Sequence, residues 1–333
     1  MSFCSPLQNS QPHTPERNDM HGKVQPNEIY IERIYDAPVK AVWEAWTVTD
    51  KVEKWWGPRG FSLTTHSKDL RSGGHWHYTM HGPDGTDYPN RTFYHEVQPF
   101  QKLIYDHGAN DTQPPLFRVT ALFEEFAGKT KLKMIMSLAS AEAAVSIRKF
   151  IKEAGGNATW DRLAEYVNET ECGVQSFVIN RSFPTSIETL FQAWTTPAQL
   201  CQWLPPAGFE MECLQADIRG GGKLLSRMSN DNGVSFCVQF DYLECSPSRL
   251  VYRQRFCDEF GQPAQHPGLP EFPQWLLHTI SFVTEEDGMT RVTVVTSPDG
   301  APTAAEISIF LDTRTSMTTG WSGSFDALEE LLS

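Results

Sequence analysis

Residues 28–35, EIYIERIY, alternate apolar and polar side chains and are rich in Ile and Tyr, the period of a half-buried strand. The period then changes. APVKAVWEAWT (37–47) places Ala-Pro at its start and spaces Val42, Ala45 and Trp46 along one helical face; 49–55 reads as a second, short helix. Alternation resumes in FSLTTHSKD (61–69), HWHYTMH (75–81), RTFYHEV (91–97), KLIYDHG (102–108), LFRVTALFEEF (116–126) and TKLKMIMSL (130–138). Asp84-Gly85 and Gly128 mark turns between them. From about 140 to 167, Val145, Ile147, Phe150, Ile151, Trp160, Leu163 and Val167 predict the buried stripe of one long final helix. Consecutive strands with short turns make an antiparallel sheet, and the last helix covers its apolar face. The fold class is therefore α+β.

The pattern occurs twice. At an offset of 148 residues, Ala45-Trp46 meets Ala193-Trp194, Trp55 meets Trp203, and Pro58 meets Pro206. Gly60-Phe61 meets Gly208-Phe209, Asp69 and Arg71 meet Asp217 and Arg219, and Gly73-Gly74 meets Gly221-Gly222. The period exceeds the 20–50 residues of a solenoid, so a whole domain is duplicated. The expected division is a disordered polar tail over 1–27, a first domain over 28–168 and a diverged duplicate over 174–333. The second copy adds a Pro-rich insert, FCDEFGQPAQHPGLPEFPQW (256–275), which serves as a cavity cap, a packing element or a plain loop.

Charge and cysteines narrow the class. The net charge is −13 with no basic run, which argues against nucleic acid. No apolar run reaches the roughly 18 residues of a membrane span, and the N-terminus lacks the apolar core of a secretory signal. Seven cysteines, an odd number without a CxxC, fit neither a disulfide framework nor a zinc site. Reduced thiols and a cytoplasmic location are the expectation.

The stretch DLRSGGHWHYTMHGPDG (69–85) holds three histidines. On a strand, His75, His77 and His81 share one face, and Trp76, Tyr78 and Met80 share the other. The second copy retains Leu224 and Met228 opposite Trp76 and Met80 but no histidine, so the apolar face is expected inside and the histidines outside. No metal is assigned; His66 and His95 are the only local additions to the HxH pair. Phe93, His95 and Val97 alternate on one strand, and Leu103, Tyr105 and His107 on the next. If these faces point inward, both histidines reach the interior, as neutral hydrogen-bonded groups or as acid/base groups. Leu132, Met134 and Met136 alternate against lysines, so that face is buried. Gly73-Gly74 reads as a tight turn. Gly155-Gly156, inside the predicted helix, marks a kink or leaves room for a ligand. No GxSxG or other nucleophile motif occurs, and no catalytic residue or cofactor is assigned.

The succession W-x-A-W, W-W-G-P-x-G-F, D-L-R-x-G-G-x-W, M-x-G-P-D-G, Y-P, E-V-x-P and L-I-Y resembles the activator-of-heat-shock-chaperone-ATPase (Aha-type) domain of the START-like, or SRPBCC, superfamily. The likeness is strong over 28–168 and weaker over 174–333, where Trp56-Gly57 becomes Leu204-Pro205. It implies a helix-grip fold: a curved antiparallel sheet wrapped around a long C-terminal helix, with a cavity between them. Three functions follow. The first is binding of a hydrophobic small molecule or a protein partner, the second a chaperone ATPase activator-like cochaperone, and the third a cyclase- or hydrolase-type pocket using His95 or His107 with Tyr105. The expected ligand-binding residues are Trp76, Tyr78, Met80, Phe93, His95, Tyr105, His107, Phe117, Met134, Met136, Gly156 and Trp160.

Overall fold

The computed structural model describes residues 24–110, 113–153, 158–285 and 288–333. Most of the expected tail, and Gly155-Gly156, lie outside the described residues. The first seven strands are β1 (Glu28–Tyr35), β2 (Ser62–Lys68), β3 (His75–His81), β4 (Asp87–Gln98), β5 (Lys102–Ala109), β6 (Phe117–Phe126) and β7 (Lys129–Leu138). They form one antiparallel sheet in the order β1-β7-β6-β5-β4-β3-β2. Helices α1 (Val39–Thr47) and α2 (Thr49–Val52) cross between β1 and β2. The predicted single closing helix is described as two, α3 (Ala141–Glu153) and α4 (Ala158–Cys172). Val145, expected in the buried stripe, is 63% exposed, whereas Ile147 packs inward as expected, together with Ala144.

The second copy repeats the plan. Strands β8 (Phe177–Phe183), β9 (Glu210–Ala216), β10 (Lys223–Ser229), β11 (Ser235–Ser246), β12 (Arg249–Cys257), β13 (Leu276–Thr284) and β14 (Thr290–Pro298) order as β8-β14-β13-β12-β11-β10-β9. Helices α5 (Ile187–Thr195) and α6 (Pro197–Trp203) follow β8; α7 (Ala304–Asp312) and α8 (Arg314–Leu331) close the domain. A capping box between Thr303 and Glu306 starts α7 by satisfying free backbone N–H groups reciprocally. The chain is thus a tandem of two helix-grip domains. Among the described residues no helix is long and apolar enough to cross a membrane.

Details recur between the copies because the same residues meet the same geometric need. The indole of Trp55 donates to the Ala45 carbonyl at 2.9 Å, and that of Trp203 donates to Ala193 at 3.0 Å. The N–H of Gly73 donates to Tyr94 O and that of Gly221 to Tyr242 O, each at 2.8 Å. Gly73 takes the positive φ expected of the turn, 82°. Gly74 is required for space: a Cβ there would sit 2.1 Å from the Asp69 carbonyl oxygen, and one at Gly222 would sit 2.1 Å from that of Asp217. Gly74→Ala must displace backbone and is expected to lower stability by about 1–3 kcal/mol. Urea unfolding checks this; a variant within about 0.5 kcal/mol of the parent would show that the turn is soft.

In domain 1 the core is an aromatic cluster. Trp46 packs at ring-centroid distances of 6.0 Å on Trp55, 5.7 Å on Trp56 and 5.1 Å on Trp160. This joins α1, the loop after α2, and α4 into one wall facing the sheet, with offset and edge contacts that aromatic rings favour.

Candidate functional site

Between that wall and the sheet of domain 1 lies a cavity of about 540 Å³. β1, β5, β6 and β7 contribute Ile31, Tyr105, His107, Phe117, Val119, Met134 and Met136, while Met80 comes from β3 and Trp160 from α4. These are the inward positions of a pleated sheet, where every second side chain shares a face. The loop after α2 adds Trp56, Gly57, Pro58, Arg59 and Phe61. The lining is dominated by apolar and thioether side chains with few polar groups, the composition of a site for an apolar small molecule.

Seven of the sequence-predicted residues meet on this cavity: Met80, Tyr105, His107, Phe117, Met134, Met136 and Trp160. Trp76 and Tyr78 point inward as well, but they are buried in a layer behind the lining. Trp76 stacks on Tyr78 with centroids 4.0 Å apart and meets Trp56 at 5.4 Å. Phe93 and His95 do not reach the interior. Phe93 is 42% exposed, and His95 Nε2 lies 2.7 Å from Asp106 Oδ2 and 2.9 Å from Arg118 Nη2 on the outer face. The reason is a β-bulge. The register of β4 on β5 pairs Tyr94 with Tyr105 and Glu96 with Ile104, skipping His95. Val97 and Tyr94 both turn inward across that extra residue, so period-two counting back from Val97 assigns the wrong face. Gly156 lies outside the described residues.

The loop residues missed by strand alternation had a signal in the W-W-G-P-x-G-F run. Gly57 there adopts φ 94°, and Arg162 Nη1 donates to the carbonyls of Gly57 at 2.9 Å and Pro58 at 2.8 Å, pinning the loop to α4. Ile31 and Val119 follow from alternation alone.

His75 and His77 lie on the outer face, their rings 4.6 Å apart. His66 Nε2 is 2.8 Å from Thr79 Oγ1 instead of approaching that pair. Among the described residues, no three His, Cys, Asp or Glu side chains are placed to hold a metal ion.

Two histidines define the polar character of the interior. His107 Nδ1 sits 3.4 Å from Tyr78 Oη, and its ring stacks on Phe117 at 5.0 Å. Burial lowers its pKa to about 4. Burial also pushes the Tyr78 and Tyr105 hydroxyls well above the ordinary tyrosine range. All three are neutral at pH 7.

Domain 2 has its own cavity of about 300 Å³, with Met228, Phe240, Tyr252, His278 and Trp321 in its lining. The 256–275 insert contributes His266 and Phe272 to that lining, and His266 packs on Phe256 at 4.7 Å. Tyr252 on β12 occupies the place of Tyr105 on β5. The histidine has moved one strand: Tyr105 pairs with Val119, whereas Tyr252 pairs with His278 and stacks on it at 4.9 Å. Each cavity therefore holds a tyrosine and an imidazole.

His278 is 3% exposed, and its Nδ1 meets Thr296 Oγ1 at 2.9 Å. Nε2 has no hydrogen-bond partner among the described residues, and burial depresses the pKa to about 3. An unfolded histidine titrates near 6.5, so below that pH the unfolded chain binds a proton the folded chain refuses. The stability that His278 contributes is complete above about 6.5 and is lost as pH falls toward about 3. His278→Phe is expected to flatten the acid limb of a stability-versus-pH curve by several kcal/mol. An unchanged slope between about pH 6 and 4 would mean that the imidazole is solvated.

The family described as Activator of Hsp90 ATPase homolog 1-like protein matches residues 36–168 and again 184–333. No curated protein matches the chain closely. Among solved structures, the chain is similar to protein Ms6760 from Mycobacterium smegmatis, at 22% identity over 48% of this chain and 92% of that one, with a TM-score of 0.41. A protein from Staphylococcus epidermidis is 26% identical over 45% of this chain and 94% of that one, with a TM-score of 0.40. The di-domain ARO/CYC BexL from the BE-7585A biosynthetic pathway is 13% identical but covers 91% of this chain and 97% of its own, with a TM-score of 0.37.

Proposed function

The chain belongs to the Activator of Hsp90 ATPase homolog 1-like family, and on that premise we propose that it binds a hydrophobic small molecule in the cavity between each sheet and its closing helices. The observation that carries this reading is the 540 Å³ cavity of domain 1, lined by Met80, Met134, Met136, Phe117 and Trp160. Its volume lies in the range of small-molecule sites, and its thioethers adapt to irregular apolar shapes. Tyr105 and His107 offer such a ligand a few oriented hydrogen bonds without a charge.

A second reading, an acid–base pocket, draws on the Tyr78–His107 contact of 3.4 Å. Its electrostatics oppose it. General catalysis is most effective when the pKa lies near the working pH. His107 at about 4 is a weak base at neutrality, and Tyr78, raised far above the ordinary range, is a weak acid. These values suit a neutral hydrogen-bonding pair that orients a ligand.

Native mass spectrometry of full-length protein purified from cell extract tests the proposal. A non-covalent adduct that disappears on denaturation is expected. N-phenyl-1-naphthylamine, a neutral apolar dye, is expected to quench tryptophan fluorescence saturably. A bare chain mass together with no saturable quenching overturns the reading. So does undiminished stimulation of a chaperone ATPase by a variant whose cavities are filled, because that places the function on the surface.

A further inference from the structure

A second space, of about 360 Å³, opens at the seam between the two domains and shares Arg59 with the lining of the domain-1 cavity. Its charged side chains are Lys54, Arg59, Arg162 and Arg314 against Glu165 and Glu169. Four cations facing two carboxylates make a local excess of positive charge in a chain whose net charge is −13.

Most of these groups already have partners. Glu165 accepts from Arg59 Nη1 at 2.8 Å, from Arg59 Nη2 at 2.6 Å and from the Val178 N–H at 2.7 Å. Arg59 Nη2 also donates to the Val178 carbonyl at 2.8 Å, so the pair ties α4 and the loop after α2 to β8. Arg162 is spent on backbone carbonyls. Arg314, the first residue of α8, is not. Its Nε lies 3.8 Å from Glu165 Oε2, beyond hydrogen-bond reach. Nε and Nη2 of Arg314 are both buried and have no hydrogen-bond partner among the described residues. Nε of Arg59, a side chain only 9% exposed, is in the same state. Buried guanidinium N–H groups without acceptors are costly, and a planar fork of donors matches a carboxylate or phosphate. Burial lowers the pKa of Arg314 and brings that of Arg162 to about 10; a guanidinium keeps its proton in proteins. Thr170 and Thr315 also line the space.

We propose that the interdomain pocket binds a small oxyanion, a carboxylate or phosphate group, held by Arg314 with Arg59 and Lys54 and bridging the two domains. Such a ligand supplies the missing acceptors from one atom group. It also joins a domain-2 helix terminus to the domain-1 seam, so occupancy stiffens the pair as a unit.

Isothermal titration of the full-length protein tests this, with inorganic phosphate in one arm and citrate in another, at ionic strength held constant with sodium chloride. Saturable binding of one anion per chain is expected with at least one probe, and a single responsive probe narrows the class to its chemistry. Arg314→Met is expected to weaken binding by at least about tenfold, since charge-assisted contacts are lost. Should that variant fail to fold, exposed Lys54 carries the test: Lys54→Gln is expected to weaken binding about threefold. Arg249→Gln, a surface control whose arginine pairs with Glu244 at 3.2 Å, is expected to bind as the parent does. No saturable heat with either anion, or parental affinity in the folded variants at 314 and 54, overturns the proposal.

Discussion

Alanine in place of Glu165 is expected to cost about 3–5 kcal/mol, the loss seen when one member of a buried ion pair is removed. Glu165 is 4% exposed and Arg59 is 9% exposed, so solvent does little to replace the lost carboxylate. The substitution strands the Arg59 guanidinium and leaves the Val178 N–H without its 2.7 Å acceptor. Because the pair joins α4 to β8, the two domains are expected to unfold in separate urea transitions in the variant and together in the parent. Replacing both partners, Arg59→Met with Glu165→Leu, is expected to recover part of the stability, since the Arg59 charge goes with its carboxylate while the Val178 N–H and Arg314 still lose Glu165. A loss below about 1 kcal/mol for Glu165→Ala, the value of a solvated surface pair, would falsify the buried-seam description.

Tryptophan at position 136 is expected to abolish small-molecule binding in domain 1 while the fold persists. Met136 lines the cavity from β7, as do Met134 on the same strand and Trp160 on α4. A larger ring there fills open volume, so the overpacking penalty of about 1–3 kcal/mol is partly avoided. The measurement is dye titration by tryptophan quenching, with circular dichroism as the check on folding. One of two binding events is expected to vanish and the domain-2 event to persist. Two events of parental affinity in the folded variant would show that the dye sits elsewhere.

The architecture was legible in the residues because each strand alternates and each copy repeats the other. Trp55 and Trp203, Gly74 and Gly222, and Tyr105 and Tyr252 occupy equivalent places, so the duplicate checked the face assignments independently. That comparison turned Trp76 and Met80 inward and His75 and His77 outward. It had no hold on β4, where the bulge at His95 shifts the period. Phe93 and His95 fell on the wrong face for that reason.

The division follows from the range of the forces involved. Local periodicity, turn glycines and the internal repeat are properties of neighbouring residues, and they determined the α+β class, the tandem plan and most of the cavity's strand-borne lining. Three features required the tertiary structure. One is the contribution of the WWGPRGF loop, which lines the cavity with its carbonyls held by Arg162 from α4. Another is the neutrality of His107 and His278, set by burial that no sequence window displays. The third is the seam, where Arg59, Glu165 and Arg314 meet across a long separation in sequence. Their proximity depends on how two whole domains pack, and buried charge acquires its cost and its chemistry only from that packing.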